Sequence, residues 1–259
     1  MDKSNVETVD TTWKGVYRLG GAAALLSAVM WLIASSTYVI AYRAGPPPTN
    51  ILEWFAQFQS NWFVGLIFLG FADIVFMILA VPISLALYIA LQQVSKAWSL
   101  IATALAFVGL TDYLATNAAF SMLTLSNQYA AATTEAQKSL LQAAGQGLIA
   151  STQGTSYYMG LPLVWLASII LSVLMWRHKG FGKASAYMGI LGYALLLVAV
   201  PLAGYATTDP ATAVETVLAY ISYLGGGVLW VIWWILIGLK LLKLGRIEGK
   251  MLPQQSRSG

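Results

Sequence analysis

Long apolar runs alternate with short polar connections along this chain. The pattern predicts membrane-spanning helices rather than the amphipathic helices or alternating strands of a water-soluble fold. Crossing a hydrocarbon core takes about 20 apolar residues in a helix. Six stretches are long enough, over about 16–42, 63–91, 99–125, 151–176, 184–205 and 215–242. The expected fold is therefore all-α, a polytopic integral membrane bundle of six transmembrane helices forming a single domain over 1–259. The first run is too long for a cleaved signal peptide and lacks a small-residue cleavage site after it, so it is expected to remain as a helix.

Between the runs, the outer connections carry structure of their own. Gly45-Pro46-Pro47-Pro48 breaks the first helix, and Asn50 followed by Glu53 reads as a capping box. Ile51, Phe55, Phe58 and Trp62 then recur at helical spacing, with Glu53, Gln57 and Asn61 elsewhere on the surface. This predicts a short interfacial helix over about 51–61 on the outer leaflet. A second is expected over about 134–150, with Thr134 as cap and Gln137 as its partner. The two either roof a cavity or seal the rim of the bundle.

Small residues recur every fourth position at Gly20, Ala24 and Ala28, and again at Ala199 and Ala203. Such spacing lets membrane helices approach closely. Pro82, Pro162, Pro201 and Gly225-Gly226-Gly227 mark expected kinks or breaks. Leu69-Gly70 and Leu224-Gly225 occupy matching places in the first and last helix pairs, a faint repeat of the kind found in transporters.

Composition agrees with a membrane solvent: 58% of residues are hydrophobic and 9% charged, against roughly a quarter charged in soluble domains. The net charge of +4 follows from topology rather than from a nucleic-acid partner. Twelve of the 14 Lys and Arg residues fall on the side of the two termini, leaving only Arg43 and Lys138 on the other. Both termini are thus expected to be cytoplasmic, with Arg177 to Lys183 as a basic inner loop. With no cysteine, thiolate and disulfide chemistry are absent. The single histidine, His178, excludes a multi-histidine metal centre. No nucleophile elbow, phosphate loop or dinucleotide fingerprint is present. No catalytic residue, cofactor or metal is assigned. Trp230, Trp233 and Trp234 read as bundle packing or interface anchors before they read as an aromatic cage.

Two carboxylates stand out because they lie within apolar runs. An ionised Asp at mid-membrane costs at least about 3 kcal/mol on the insertion scale, so Asp73 and Asp112 are expected to face inward and be offset by polar partners. Tyr113, Asn117, Ser121, Thr124 and Gln128 follow one face of the third helix, with Asp112 and Thr116 beside them. Gln153, Ser156 and Tyr157 begin the fourth helix at the same outer height. These residues either line a polar funnel leading from outside to Asp112 or form an interhelical hydrogen-bond network.

The segment from Asp73 through Ala86-Leu87-Tyr88-Ile89-Ala90-Leu91 into a short turn and the third helix resembles a family of bacterial six-helix membrane proteins known only as a domain of unknown function. Trp176 to Tyr193, reading Trp-Arg-His-Lys-Gly-Phe-Gly-Lys-Ala-Ser-Ala-Tyr-Met-Gly-Ile-Leu-Gly-Tyr, is similar to the inner loop and fifth helix of the same family. The resemblance covers nearly the whole chain. It implies a plasma-membrane location and a compact bundle, and carries over no substrate, reaction or catalytic residue.

The expected function is that of a non-enzymatic sensor or accessory membrane protein. Beyond membrane lipid, its expected partner is a small molecule or a protein, bound at an outward-opening polar cavity of Asp73, Asp112, Tyr113, Asn117, Ser121, Gln153, Ser156 and Tyr157. A small proton-linked transporter using Asp73 and Asp112 is the alternative, although the inner half of the third helix offers only Ser99 and Thr103 to continue a path. A lipid-modifying enzyme with the two carboxylates as acid and base is a second alternative, and it requires both to reach one substrate.

Overall fold

A computed structural model of the chain describes residues 13–206 and 227–246, with the backbone alone at 155–157 and 200–206. All regular structure among them is helical. The helices are α1 (Lys14–Ala44), α2 (Ile51–Phe68), α3 (Phe71–Leu91), α4 (Lys96–Thr116), α5 (Ala119–Ala131), α6 (Glu135–Ser151), α7 (Leu161–Arg177), α8 (Lys183–Ala206) and α9 (Leu229–Arg246), with a π-helical segment, Thr152–Gly160, between α6 and α7.

Among the described residues, four stretches are long and apolar enough to cross a membrane: Lys14–Ala44, Ile51–Leu91, Lys96–Ala131 and Glu135–Arg177. Lys183–Ala199 is a shorter apolar helix. Of the predicted segment 215–242, the part through residue 226 lies outside the described residues, and so do Gly225 and Gly226 of the glycine triplet.

Among the described residues, α1, α3, α4, α7, α8 and α9 close into a ring, each packing on the next and α9 returning to α1. Its core holds Leu87, Leu91, Met175, Trp233, Ile237 and Leu241, all nearly inaccessible. The predicted small-residue stripe serves this packing, since Gly20, Ala24 and Ala28 are buried where α1 meets its neighbours. At one end of the ring the start of α1 meets the end of α9, where Arg18 Nε donates to Gly245 O at 3.0 Å and satisfies a carbonyl that the ending helix leaves free. The basic loop folds onto the same end. Phe181 is buried under Lys240, whose Nζ lies 6.0 Å from the ring centroid, and His178 Nδ1 accepts from Gly180 N–H at 2.9 Å.

At the opposite end α2, α5 and α6 pack on one another as a cap with its own core of Ile51, Trp54, Phe55, Phe58 and Met122. Here the structure departs from the sequence reading. The expected interfacial helix over 51–61 runs on to Phe68 through a kink at Asn61 (φ −154°, ψ 88°), and protein rather than lipid covers most of its apolar face. Leu52 and Trp62 remain exposed. Asn50 does accept from Glu53 N–H at 3.0 Å, but the Glu53 carboxylate reaches back to Thr49, accepting from its N–H at 2.8 Å, so the capping box is only half formed. The second expected cap is complete, with Thr134 and Gln137 bonding reciprocally at the start of α6.

The predicted spans over 63–91 and 99–125 are also not continuous helices. The first is broken at Leu69-Gly70, where Gly70 takes a left-handed φ of 76°. The second is broken at Asn117, whose ψ of 123° is extended. With the π-helical segment, the connections α2–α3, α4–α5 and α6–α7 between cap and ring are thus interruptions of a helix, whereas α1 reaches α2 through the loop at 45–50.

Candidate ligand site at Asp73

Asp73 sits in the first turn of α3, where the positive end of the helix dipole favours a carboxylate. Its Oδ2 accepts a hydrogen bond from the Tyr113 hydroxyl of α4 at 2.7 Å. No hydrogen bond to Oδ1 is formed among the described residues. Glycine is needed at position 70 twice over: its φ is positive, and a Cβ there would lie 2.7 Å from Asp73 Oδ2 and 3.1 Å from the Tyr113 hydroxyl.

Asn117 ties the two helix breaks together. Its Nδ2 donates to Leu69 O at 3.3 Å, a carbonyl freed where α2 ends, and to Gly70 O at 3.4 Å, which also accepts from Asp73 and Ile74 N–H at the start of α3, while its Oδ1 accepts from Ala119 N–H at 3.0 Å and starts α5. Thr152, at the first residue of the π-helical segment, donates to Thr116 O at 2.6 Å, satisfying a carbonyl released by the break in α4. The polar side chains in these apolar runs therefore pair the backbone groups that the breaks expose, as a low-dielectric interior demands.

Asp112 lies on another side of α4. Its Oδ2 is buried with no hydrogen-bond partner among the described residues. It faces the backbone of Gly160, where a Cβ would sit 2.6 Å from it. Gly109 lets the two segments approach this closely, since a Cβ there would be 2.5 Å from Gly160 O. The two carboxylates thus occupy different helix interfaces, Asp73 between α3 and α4 and Asp112 between α4 and the π-helical segment.

Two cavities adjoin Asp73, and Asp112 is on the wall of neither. The inner one, of about 210 Å³, lies inside the helix ring. Apart from Asp73, Ser84, Ser168 and Tyr193, its wall is apolar and aromatic, with Phe76, Trp165, Trp230, Trp233 and Trp234. Phe76 stacks on Trp234 with centroids 5.7 Å apart, and Trp230 lies 5.4 Å from both Trp234 and Tyr193. The tryptophans expected to serve packing therefore wall a cavity as well. Nε1 of Trp230 and of Trp233 are buried without hydrogen-bond partners among the described residues. The second cavity is a groove of about 660 Å³ along α1, the end of α2 and the start of α3, and it shares Asp73, Phe76 and Trp230 with the first. Among the described residues, no Lys, Arg or His is on the wall of either.

Of the residues expected to form a funnel, Asp73, Tyr113 and Asn117 come together around the break at Gly70. Ser121, Thr124 and Gln128 do not join them. The extended residue at 117 rotates α5 relative to α4, and all three are exposed. Gln153 is exposed as well, and the side chains of Ser156 and Tyr157 lie outside the described residues. Thr152 and Ser126 escaped the sequence reading. Ser126, buried in the cap core, donates to Phe55 O at 3.0 Å and accepts from Gln59 Nε2 at 2.9 Å. A helical stripe extended through Asn117 had selected Thr124 and Gln128 on either side of it.

The family model described as Domain of unknown function (DUF4386) matches residues 15–238. No curated protein and no solved structure is detectably similar to the chain.

Proposed function

Since the chain belongs to a family of unknown function, its activity has to be argued from its own site, and we propose that it is a non-enzymatic, multi-pass protein of a bacterial plasma membrane that binds a small ligand in the cavity beside Asp73. In this reading it acts as a sensor or accessory subunit, six helices cross the bilayer and both termini are cytoplasmic. The observation that carries the proposal is the placement of Asp73. A carboxylate held by a single hydroxyl, with one oxygen unbonded and no cation on the surrounding walls among the described residues, borders an aromatic cavity and the groove next to it. A group that served only the fold would be saturated with partners, because an unmet polar atom in an apolar interior costs about 1–3 kcal/mol.

Thermal unfolding of Asp73→Asn in detergent tests this. Unchanged or raised stability fits a carboxylate kept at a cost to the fold for the sake of binding. Marked destabilisation by both Asp73→Asn and Tyr113→Phe, with strong coupling in the double variant, would make the pair a structural strut and remove the proposal.

Proton-linked transport is a second reading, favoured by the three helix interruptions that meet at Asp73 and Asn117, since discontinuous helices line the sites of many transporters. Proton uptake by proteoliposomes that disappears in Asp73→Asn would support it. The reading as a lipid-modifying enzyme with paired carboxylates loses its motivation, because Asp112 borders neither cavity.

A further inference from the structure

Resting on the reading that the inner cavity holds a small ligand, we propose that this ligand is a lipophilic organic cation, an apolar body carrying a protonated amine. Its nitrogen would sit at Asp73 and its body against the ring faces of Phe76, Trp230 and Trp234.

Charge is the first argument. Among the described residues, Asp73 is the only carboxylate on the wall, Oδ2 is occupied by Tyr113, Oδ1 has no protein donor, and no basic side chain adjoins the cavity. A cationic N–H donor is the group that completes this carboxylate, and charge-assisted hydrogen bonds are among the strongest available. An anion would meet the carboxylate with no Lys or Arg to hold it.

The aromatic wall makes the second argument. Phe76 follows Asp73 on α3, and its stacking on Trp234, with Trp230 beside it, joins α3 and α9 into one aromatic surface at the carboxylate. Ring faces attract cations through their quadrupoles, most strongly where water is excluded. A polyol is disfavoured because, among the described residues, Ser84, Ser168 and Tyr193 are the only hydroxyls on the wall. A volume of about 210 Å³, below the ~300–1,000 Å³ of drug-sized sites, points to a small amine.

Calorimetric titration of the full chain in lipid nanodiscs, against empty-nanodisc blanks, tests the inference with three probes of like size: 2-phenylethylamine, 2-phenylethanol and phenylacetate. The amine is expected to bind at least about tenfold more tightly than the alcohol, with phenylacetate weakest. Asp73→Asn should erase that preference and leave the alcohol unaffected. If Asp73→Asn does not fold, Trp234→Leu serves instead and should weaken amine binding about threefold or more relative to the alcohol. Equal binding of amine and alcohol to the wild type overturns the cation inference and leaves the cavity reading standing. Tightest binding of phenylacetate also overturns the inference. Absence of binding by all three overturns both.

Discussion

Gly70→Ala is the most direct perturbation of the junction where α2 passes into α3. The structure charges it two costs. An alanine at φ 76° pays about 1–2 kcal/mol for the left-handed conformation. Its Cβ would also lie 2.7 Å from Asp73 Oδ2 and 3.1 Å from the Tyr113 hydroxyl. The carboxylate can swing away, but doing so loosens a hydrogen bond worth about 1–3 kcal/mol where a charged partner is involved. Against these stands a gain of about 0.4–1 kcal/mol from a stiffer unfolded chain. The net expectation is a loss of about 2–3 kcal/mol, or about 4–12 °C in the unfolding midpoint for a chain of this size. Thermal unfolding in a mild detergent reads it, with two companions. Gly147→Ala, on the exposed side of α6 with nothing within 4 Å of its Cβ, should stabilise by about 0.5–1 kcal/mol. Introduced into a Tyr113→Phe background, Gly70→Ala should cost only about 0.5–1 kcal/mol, the left-handed cost less the gain from the stiffer unfolded chain, because the hydrogen bond is already gone. A Gly70→Ala variant as stable as wild type, or one whose cost is the same in both backgrounds, would refute the assignment of strain and contact at this junction.

Three further substitutions probe the other junctions and the cap. Asn117→Ala removes donors from Leu69 O and Gly70 O and should cost about 1–2 kcal/mol, read by the same unfolding assay. Gly109→Ala places a Cβ 2.5 Å from Gly160 O, a backbone atom unable to step aside, and should cost about 1–3 kcal/mol and speed proteolysis within the π-helical segment relative to wild type. Gln137→Ala opens half of the capping box at α6; the expected effect is about 0.5–1 kcal/mol, seen as faster amide exchange confined to the first turn, with the ring unaffected.

How much of this was legible in the sequence differed from residue to residue, for physical reasons. Thr134 and Gln137 identified a helix start correctly because capping is local chemistry, three residues apart. Gly20, Ala24 and Ala28 pointed to close packing because small size has the same consequence wherever the partner lies. Asn117 misled, since asparagine gives no signal as strong as glycine or proline for a break, and apolar residues continue on both sides of it. Extending a helical period across that break put Ser121 and Gln128 beside Tyr113, when tertiary bonds to the carbonyls at 69 and 70 hold the chain extended there. Asp73 and Asp112 were equally conspicuous in sequence. Which of them would border a cavity depended on the tryptophans of α9, more than 100 positions away along the chain.

The interruptions between cap and ring also insulate one from the other against changes in chain length. In an unbroken helix, adding one residue turns everything beyond it by about 100° and would carry inward-facing side chains round to lipid. Here a break separates each cap helix from a ring helix: α2 from α3 at Gly70, α4 from α5 at Asn117, and α6 from α7 at the π-helical segment. An insertion or deletion in the cap is absorbed at that point, and the rotational setting of α3, α4 and α7 about the cavity is preserved. The cap can therefore vary in length and composition over evolutionary time while the wall around Asp73 keeps its phase.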